Sequence, residues 1–264
     1  MTSFLDLPAR STRPRDHGLT VVLDKGLSLA AVDGLVEVCG SAIDLVKLGW
    51  GTSLVVENLA AKLGRYAAAG IPVMLGGTLT ELAVRQERVD GLVRWLSELG
   101  LTHVEVSDGT IALEPERKRA LITRLAGEGL RVLSEVGSKD AETIMAPYRW
   151  VEMIQGELEA GAWKVVAEGR ESGTAGIFRR DGEARMGLID EIAHGVPVES
   201  LVFEAPQKAQ QVWFLRRFGT EVSLGNIAPE DVVSLETLRL GLRSDTLLDL
   251  SVGAAGPRAR PEDA

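Results

Sequence analysis

The stretch that decides the fold runs from Leu130 to Asp140 and reads Leu-Arg-Val-Leu-Ser-Glu-Val-Gly-Ser-Lys-Asp. An apolar run carries one acid, Glu135, at its end, and a glycine turn and Lys139 follow it. A carboxylate just inside a strand terminus is costly to bury unless it meets a cation or a metal ion. The same design recurs along the chain, where strand-like runs end in charged or glycine-rich segments and a helical pattern follows each one.

Eight segments have the composition of strands, and most are dense in Val, Ile and Leu without clean alternation. This composition is typical of parallel strands that are covered on both faces. The predicted strands are Leu19–Leu23, Ala42–Leu48, Ile71–Leu75, His103–Ser107, Arg131–Val136, Trp163–Glu168, Leu201–Glu204 and Val222–Leu224. The helical patterns between them end at glycines or begin near prolines, as helices commonly do. These residues are Gly40, Gly70, Gly100, Gly161, Gly195 and Gly219 at the ends, and Pro115, Pro206 and Pro229 at the starts.

Eight strand and helix units in a chain of 264 residues predict an α/β fold, a single (β/α)8 TIM barrel over residues 18–250. About 250 residues is the typical size of this fold. The glycines near the first strand do not form a GxGxxG motif, which disfavours a dinucleotide-binding fold. Residues 1–17 are polar and rich in Arg and Pro, and we expect them to form an arm over the barrel bottom. Residues 251–264 have the composition of a disordered tail.

Charge and hydropathy exclude several classes of protein. The formal net charge is -9, so the chain has no overall basic field for nucleic acid or an anionic membrane. No apolar run approaches the roughly 20 residues that span a bilayer. The single cysteine, Cys39, rules out an internal disulfide and suits a reducing compartment. The N-terminus lacks the pattern of a secretory signal, so we predict a cytoplasmic protein.

Acids and lysines gather at the predicted strand ends, which is where (β/α)8 enzymes carry their active sites. Asp24, Glu105, Glu135 and Glu168 are expected to converge there, and Glu204 ends the seventh strand. Any one of these acids could instead be a structural ion-pair partner, and Asp24 could cap the first helix. The convergence of four acids with several lysines favours an active site over a purely structural arrangement.

The ligand types present favour Mg²⁺ over zinc. The chain has three histidines, His17, His103 and His194, and none is paired at the spacing of a zinc site. Carboxylate oxygens are the ligands that Mg²⁺ prefers. We therefore predict Mg²⁺ as the cofactor.

The substrate is predicted to be a small anion despite the negative net charge. Basic side chains lie near several strand ends, and the loops over residues 49–53, 76–78 and 225–226 offer backbone N–H groups and hydroxyls. Such loops bind phosphate, and (β/α)8 barrels often use the loops after strands seven and eight for this purpose. The basic residues are Lys25, Lys47, Lys139, Arg170 and Lys208.

At this level of detail the chain resembles the phosphosulfolactate synthase family, whose members add sulfite to phosphoenolpyruvate in coenzyme M biosynthesis. The similarity covers about residues 16–248. The matching motifs are Gly-Leu-Thr-Val-Val-Leu-Asp-Lys-Gly (18–26), Asp-Leu-Val-Lys-Leu-Gly-Trp-Gly-Thr-Ser (44–53), Gly-Gly-Thr-Leu (76–79), Val-Glu-Val-Ser-Asp-Gly (104–109), Glu-Val-Gly-Ser-Lys (135–139), Glu-Gly-Arg-Glu-Ser-Gly (168–173), Phe-Glu-Ala-Pro-Gln-Lys-Ala-Gln-Gln (203–211) and Leu-Glu-Thr-Leu-Arg-Leu-Gly-Leu-Arg-Ser-Asp-Thr (235–246). Two departures are Ala209, where the family pattern has Ser, and Ser244, where it has Gly.

The resemblance implies a (β/α)8 carbon-sulfur lyase that depends on Mg²⁺ and forms a homo-oligomer such as a trimer. Together with the residues above, it leads us to predict three groups of site residues. The catalytic residues are Lys139, Lys25 and Glu168; the substrate-binding residues are Lys47, Arg170, Lys208, Asn226 and Ser53; and the metal ligands are Asp24, Glu105, Glu135 and Asp108. Lys139 is the first candidate for the general acid that protonates C2 of the substrate, with Lys25 as the next.

Two alternatives stay open on the sequence. The family also contains plant heat-stress-associated proteins, so the same barrel could serve a non-enzymatic role. A related lyase that acts on another enol phosphate is the second alternative, because one altered pocket residue changes the acceptor.

Overall fold

Eight parallel strands close into a barrel in chain order, β1 to β8, in a computed structural model that describes residues 4–137 and 145–250. The closure confirms the predicted (β/α)8 fold. The strands are β1 Thr20–Asp24, β2 Leu45–Leu48, β3 Val73–Leu75, β4 His103–Val106, β5 Arg131–Val136, β6 Lys164–Ala167, β7 Leu201–Glu204 and β8 Leu224–Ile227. β5 and β7 have the predicted bounds. β8 begins and ends later than predicted: Gly225 pairs with β7 and Ile227 pairs with β1, although the strand propensity of glycine is low.

Helices connect the strands on the outside of the barrel, and β3 is followed by two of them. The helices are α1 Leu29–Cys39, α2 Leu59–Ala68, α3 Gly77–Arg85, α4 Val89–Glu98, α5 Pro115–Gly127, α6 Pro147–Glu159, α7 Met186–Gly195, α8 Lys208–Phe218, α9 Val232–Arg239 and α10 Leu247–Leu250. Pro115 occupies the first turn of α5, as predicted. Gly70 and Gly100 have φ values of 65° and 68°, which suit the predicted helix ends, whereas Gly40 has φ -54° and continues into a 3-10 helix. No helix in the described parts of the chain is both long enough and apolar enough to cross a membrane.

The apolar core has two layers, which follow from the alternation of side chains along each strand. The larger cluster includes Val22 and Val46 together with helical residues, so it fills the space between strands and helices. The smaller cluster draws on strand residues such as Leu45 and Leu133 and fills the barrel interior. Burying each such side chain contributes about 1.5–3 kcal/mol. Residues two positions further along the same strands face inward as well, and they reach the mouth at the C-terminal end.

The N-terminal segment lies against the bottom of the barrel, at the N-terminal ends of the strands. Ser11 donates hydrogen bonds to the carboxylate of Glu221 from both its hydroxyl, at 2.5 Å, and its main-chain N–H, at 3.1 Å. Arg15 pairs with Asp44 at 2.9 Å. Since Asp44 directly precedes β2 and Glu221 precedes β8, these contacts place residues 11 and 15 below the barrel.

Candidate active site

A cavity of about 450 Å³ opens at the C-terminal end of the barrel. Loop residues after β2, β3, β4 and β6 form its rim, and inward-facing strand residues form its floor. The lining residues are Leu23, Lys47, Gly49, Trp50, Gly76, Gly77, Thr78, Glu105, Thr110, Glu135, Glu168, Arg170, Glu171, Ser172, Glu204 and Asn226. The cavity therefore combines acidic, basic, hydroxyl and amide groups in the position where (β/α)8 enzymes carry out catalysis.

Lys47 lies at the centre of the floor and joins two acids that are distant in sequence. Its ammonium donates to the carboxylate of Glu105 at 3.0 Å and to that of Glu204 at 3.1 Å. Burial by itself would lower the pKa of Lys47, but the surrounding carboxylates, with Glu105 the strongest, outweigh burial and raise that pKa well above 10.5. Lys47 is therefore a fixed positive charge among acids.

Glu105 is held from two sides. Its Oε1 accepts from Lys47, and its Oε2 accepts from the main-chain N–H of Gly77 at 2.6 Å, where α3 begins. Burial raises the pKa of Glu105 above its usual 4.5; Lys47 opposes this change and the neighbouring carboxylates add to it. Both oxygens of Glu105 are thus engaged by protein donors.

Three buried carboxylates, those of Glu135, Glu168 and Glu204, form a compact cluster on the other side of the floor. Each offers one oxygen, and these oxygens lie within 4.8 Å of one another. Main-chain donors orient two of the side chains, since Arg170 N–H donates to Glu168 at 2.7 Å and Gly169 N–H donates to Glu204 at 3.0 Å. A cluster of buried carboxylate oxygens is the kind of donor set that suits Mg²⁺.

The structure brings half of the predicted site residues together, and it places five of the others elsewhere. Those that line the cavity are Lys47, Glu105, Glu135, Glu168, Arg170 and Asn226. Lys139 lies outside the described residues, as does the predicted tail. Lys25 is exposed and does not line the cavity. Ser53 is buried beside the loop after β2 but is also not among the lining residues.

Asp24 faces the helices and not the mouth, although it was predicted as a metal ligand. Its carboxylate pairs with Lys62 of α2 at 2.9 Å and accepts from the hydroxyl of Tyr66 at 3.1 Å. The main-chain N–H groups of Gly26 and Leu27 donate to it as well, both at 2.7 Å. The physical reason is strand alternation, because Leu23 faces the cavity and the next residue must face outward.

Two further predicted site residues are engaged in ion pairs away from the cavity. Asp108 pairs at 3.0 Å with Lys118 of α5, which also pairs with Glu157 at 2.8 Å. Lys208 is half-exposed at the start of α8 and pairs with Asp245 at 2.9 Å. Neither residue lines the cavity, so neither placement supports the predicted metal-binding or substrate-binding role.

Sequence reasoning missed the buried polar residues that hold the rim. Glu81 of α3 accepts from the hydroxyl of Ser107 at 2.5 Å and from the main-chain N–H groups of Thr110 and Ile111 at 2.9 and 2.8 Å. It thereby fixes the loop after β4, from which Thr110 lines the cavity. A signal was present, because Glu81 lies four residues after Gly77, on the buried face of the helix.

Gln210 fixes the loop after β6 by hydrogen bonds, as Glu81 fixes the loop after β4. Its amide donates to the carbonyl groups of Gly173 at 2.8 Å and Gly182 at 3.1 Å, and its carbonyl accepts from the N–H of Gln207 at 3.1 Å. The loop that Gln210 holds carries Arg170 into the cavity. The only sequence signal was a pair of glutamines in the first turn of a helix.

A closed (β/α)8 barrel with buried acids and a lysine gathered at its C-terminal mouth defines an enzyme that acts on a small polar molecule. The comparisons with known proteins say which family. The model of the (2R)-phospho-3-sulfolactate synthase (ComA) family matches residues 8–245, and the chain belongs to this family. The family match confirms the resemblance found in the sequence. The enzyme is favoured over the non-enzymatic alternative by the names of the curated relatives.

Two curated relatives carry the name phosphosulfolactate synthase. The Bacillus subtilis protein is 41% identical over 245 residues, which cover 92% of this chain and 97% of that one. The Methanocaldococcus jannaschii protein is 43% identical over 235 residues, covering 87% and 94%. Among solved structures, 3-hexulose-6-phosphate synthase from Salmonella typhimurium is similar with a TM-score of 0.52 at 12% identity, covering 87% of this chain and 93% of that one. At that identity the likeness concerns the fold alone.

Proposed function

We propose that the chain catalyses the Mg²⁺-dependent addition of sulfite to phosphoenolpyruvate, which gives (2R)-phospho-3-sulfolactate. The observation that carries the proposal is the cluster of Glu135, Glu168 and Glu204 beside Lys47 in the mouth of a barrel that belongs to this family. Phosphoenolpyruvate and sulfite are both anions, so a site rich in buried acids needs additional positive charge to bind them.

The residues present fit Mg²⁺. Among the cavity-lining residues that the structure describes, four glutamates are buried but only one cation, Lys47, is buried. Several buried like charges are unfavourable without compensation, and a divalent cation on carboxylate oxygens would provide it. Glu135, Glu168 and Glu204 would hold the ion, because one oxygen of each lies within 4.8 Å of the other two. When bound, Mg²⁺ stabilises negative charge that develops on oxygen atoms of the substrate.

The proposed reaction forms one carbon-sulfur bond and one carbon-hydrogen bond. The lone pair on the sulfur of sulfite attacks C3, the methylene carbon of phosphoenolpyruvate, and the π electrons of the double bond move to C2 and the carboxylate. A proton then adds to C2 from one face, which sets the configuration. Sulfite is itself the nucleophile, so the protein does not have to supply one. The protein has to bind and orient the two substrates and to donate a proton. Lys139 as the proton donor stays a prediction.

Arg170 is well placed to bind an anionic group of the substrate. It lines the cavity, and its guanidinium forms no ion pair within residues 4–137 and 145–250, whereas Glu204 pairs with Lys47. Glu168 instead accepts from the main-chain N–H of Arg170. A guanidinium can bind two oxygens of a phosphate or carboxylate at once.

The metal proposal is tested with Glu204→Gln, which keeps the shape of the side chain and removes its charge. We expect Mg²⁺ to restore activity to the EDTA-treated wild type and to raise its melting temperature, because a ligand of the folded state stabilises it. Glu204→Gln should lose the thermal shift and at least about 100-fold of kcat/KM, or about 2.7 kcal/mol of transition-state stabilisation. Product formation from phosphoenolpyruvate and sulfite is followed by mass.

Glu157→Gln is the matched control, since Glu157 is equally buried and ion-paired but lies outside the cavity. It should keep the response to Mg²⁺ whatever happens to its stability. Full activity of the wild type after thorough chelation, or an unchanged Mg²⁺ shift in Glu204→Gln, contradicts the proposal. The homo-oligomeric state and the cytoplasmic location stay predictions.

A further inference from the structure

Trp50 has a main-chain conformation that side chains with a Cβ rarely adopt. Its φ is 54°, in the left-handed region, where the Cβ of a non-glycine residue lies too close to the following carbonyl oxygen. Within the described parts of the chain, the other non-glycine residues with positive φ are Glu87, Arg170 and Asn226. Three of these four residues line the same cavity. Residues held in such conformations cluster at functional sites, which makes the observation at Trp50 a starting point for a function.

The turn that carries Trp50 is fixed from both sides. Gly49 N–H donates to the carbonyl of Asp24 at 2.9 Å, and Thr52 donates to the carbonyl of Gly49 from its N–H at 3.1 Å and from its hydroxyl at 2.8 Å. Gly76 packs so closely that a Cβ there would lie 2.8 Å from the nitrogen of Trp50. The surrounding loops therefore hold the left-handed conformation and set the direction of the indole.

Core packing does not account for the indole. Trp50 is 45% exposed although it lines the cavity, so much of its large apolar surface meets solvent at the mouth. Glycine is the residue that adopts this conformation without steric cost. A tryptophan in a position that favours glycine indicates that the side chain itself has a use there.

We infer that Trp50 contacts the bound substrate and forms the wall of the mouth that shields the reacting carbon from water. The inference rests on the proposed function. The indole has one N–H donor and no acceptor, which suits an oxygen of a phosphate or carboxylate group. Its uncharged ring also excludes water from one side of an otherwise polar cavity. Electrostatic interactions between the substrate and the charged side chains become stronger when water is excluded. The ligand class is a small phosphorylated acid that covers the floor and reaches the rim.

The experiment compares Trp50→Gly and Trp50→Phe with the wild type, using calorimetric titration of phosphoenolpyruvate in the presence of Mg²⁺. Trp50→Gly should raise Kd and KM by about tenfold, or about 1.4 kcal/mol, while its melting temperature is no lower than that of the wild type. Trp50→Phe keeps an aromatic wall and should bind more tightly than Trp50→Gly. Glu87→Gly is the matched control, because Glu87 has φ 56° and lies outside the cavity. It should keep the wild-type Kd, also without loss of melting temperature.

The outcomes separate the possible errors. Wild-type Kd and KM in Trp50→Gly overturn the assignment of a substrate contact. A melting temperature that falls together with affinity in Trp50→Gly also overturns it, since Trp50 would then be a structural residue. A changed oligomeric state with intact binding would mean that the exposed indole covers a second copy. If the wild type binds no phosphoenolpyruvate, the proposed function is refuted, and the substrate contact inferred for Trp50 is refuted together with it.

Discussion

The ion pair between Asp24 and Lys62 offers the sharpest test of whether Asp24 is a structural residue or a metal ligand. Asp24 is fully buried and Lys62 is 1% exposed, and they meet at 2.9 Å between β1 and α2. Removing one partner of such a pair destabilises a protein by about 3–5 kcal/mol, because the other charge stays buried. In Lys62→Met the carboxylate keeps donors from Gly26, Leu27 and Tyr66, so we expect the low end of that range. At about 2–4 °C per kcal/mol, the melting temperature should fall by about 6–12 °C.

Thermal unfolding with and without Mg²⁺ is the assay, and Asp24→Asn is the companion variant. The asparagine oxygen still accepts from the main chain, and the buried negative charge is gone. The double variant should therefore lose less stability than the sum of the two single changes, which a double-mutant cycle measures directly. The Mg²⁺-dependent thermal shift should persist in all three variants. The reasoning is refuted if Asp24→Asn keeps its stability and loses that shift, because Asp24 would then act as a metal ligand.

Two further predictions concern the rim and the N-terminal segment. Gln210→Ala removes the donors to Gly173 and Gly182, so hydrogen exchange should increase over residues 169–183 and KM for phosphoenolpyruvate should rise; unchanged exchange there would argue against the clamp. Burial tends to raise the pKa of Glu221, but hydrogen bonds from Ser11 and the charge of Arg10 outweigh it and hold that pKa below 4.5. Because the folded-state pKa is depressed, Glu221 stabilises the fold above about pH 4.5, and this contribution disappears as pH falls through the folded-state value. Glu221→Gln should therefore be less stable than the wild type at pH 7, and the difference should shrink as pH falls below about 4.5; a pH-independent difference would count against this account.

The fold could be predicted from sequence because it depends on local patterns. Branched apolar runs such as Arg131–Val136 and Leu201–Glu204 form strands with the predicted bounds, since two covered faces demand continuous apolar residues. Strand bounds were predicted less well where strand propensity is low, as in β8, where Gly225 pairs with a residue of β7. Much of the cavity floor could also be predicted from the sequence, because the C-terminal ends of the strands of a barrel converge on one mouth.

Alternation along a strand explains why the prediction for Asp24 was wrong. Leu23 lines the cavity, so Asp24 must point to the helices, whereas Glu105 and Glu135 lie in the inward register. From the sequence alone, Leu23 and Asp24 must face opposite sides of β1, and only the barrel shows which of the two faces inward.

Only the tertiary structure decided which basic side chain pairs with which acidic side chain. Lys47 bonds Glu105, 58 positions away, and Glu204, 157 positions away, and barrel closure brings these side chains within 3.1 Å. Lys62 of α2 and Lys118 of α5 are both buried and pair with acids near the ends of β1 and β4. A side chain's partner depends on elements far apart in sequence, so local patterns place acids and lysines at a strand end or on a helix. Only the packed barrel determines whether such a residue supports the site or belongs to it.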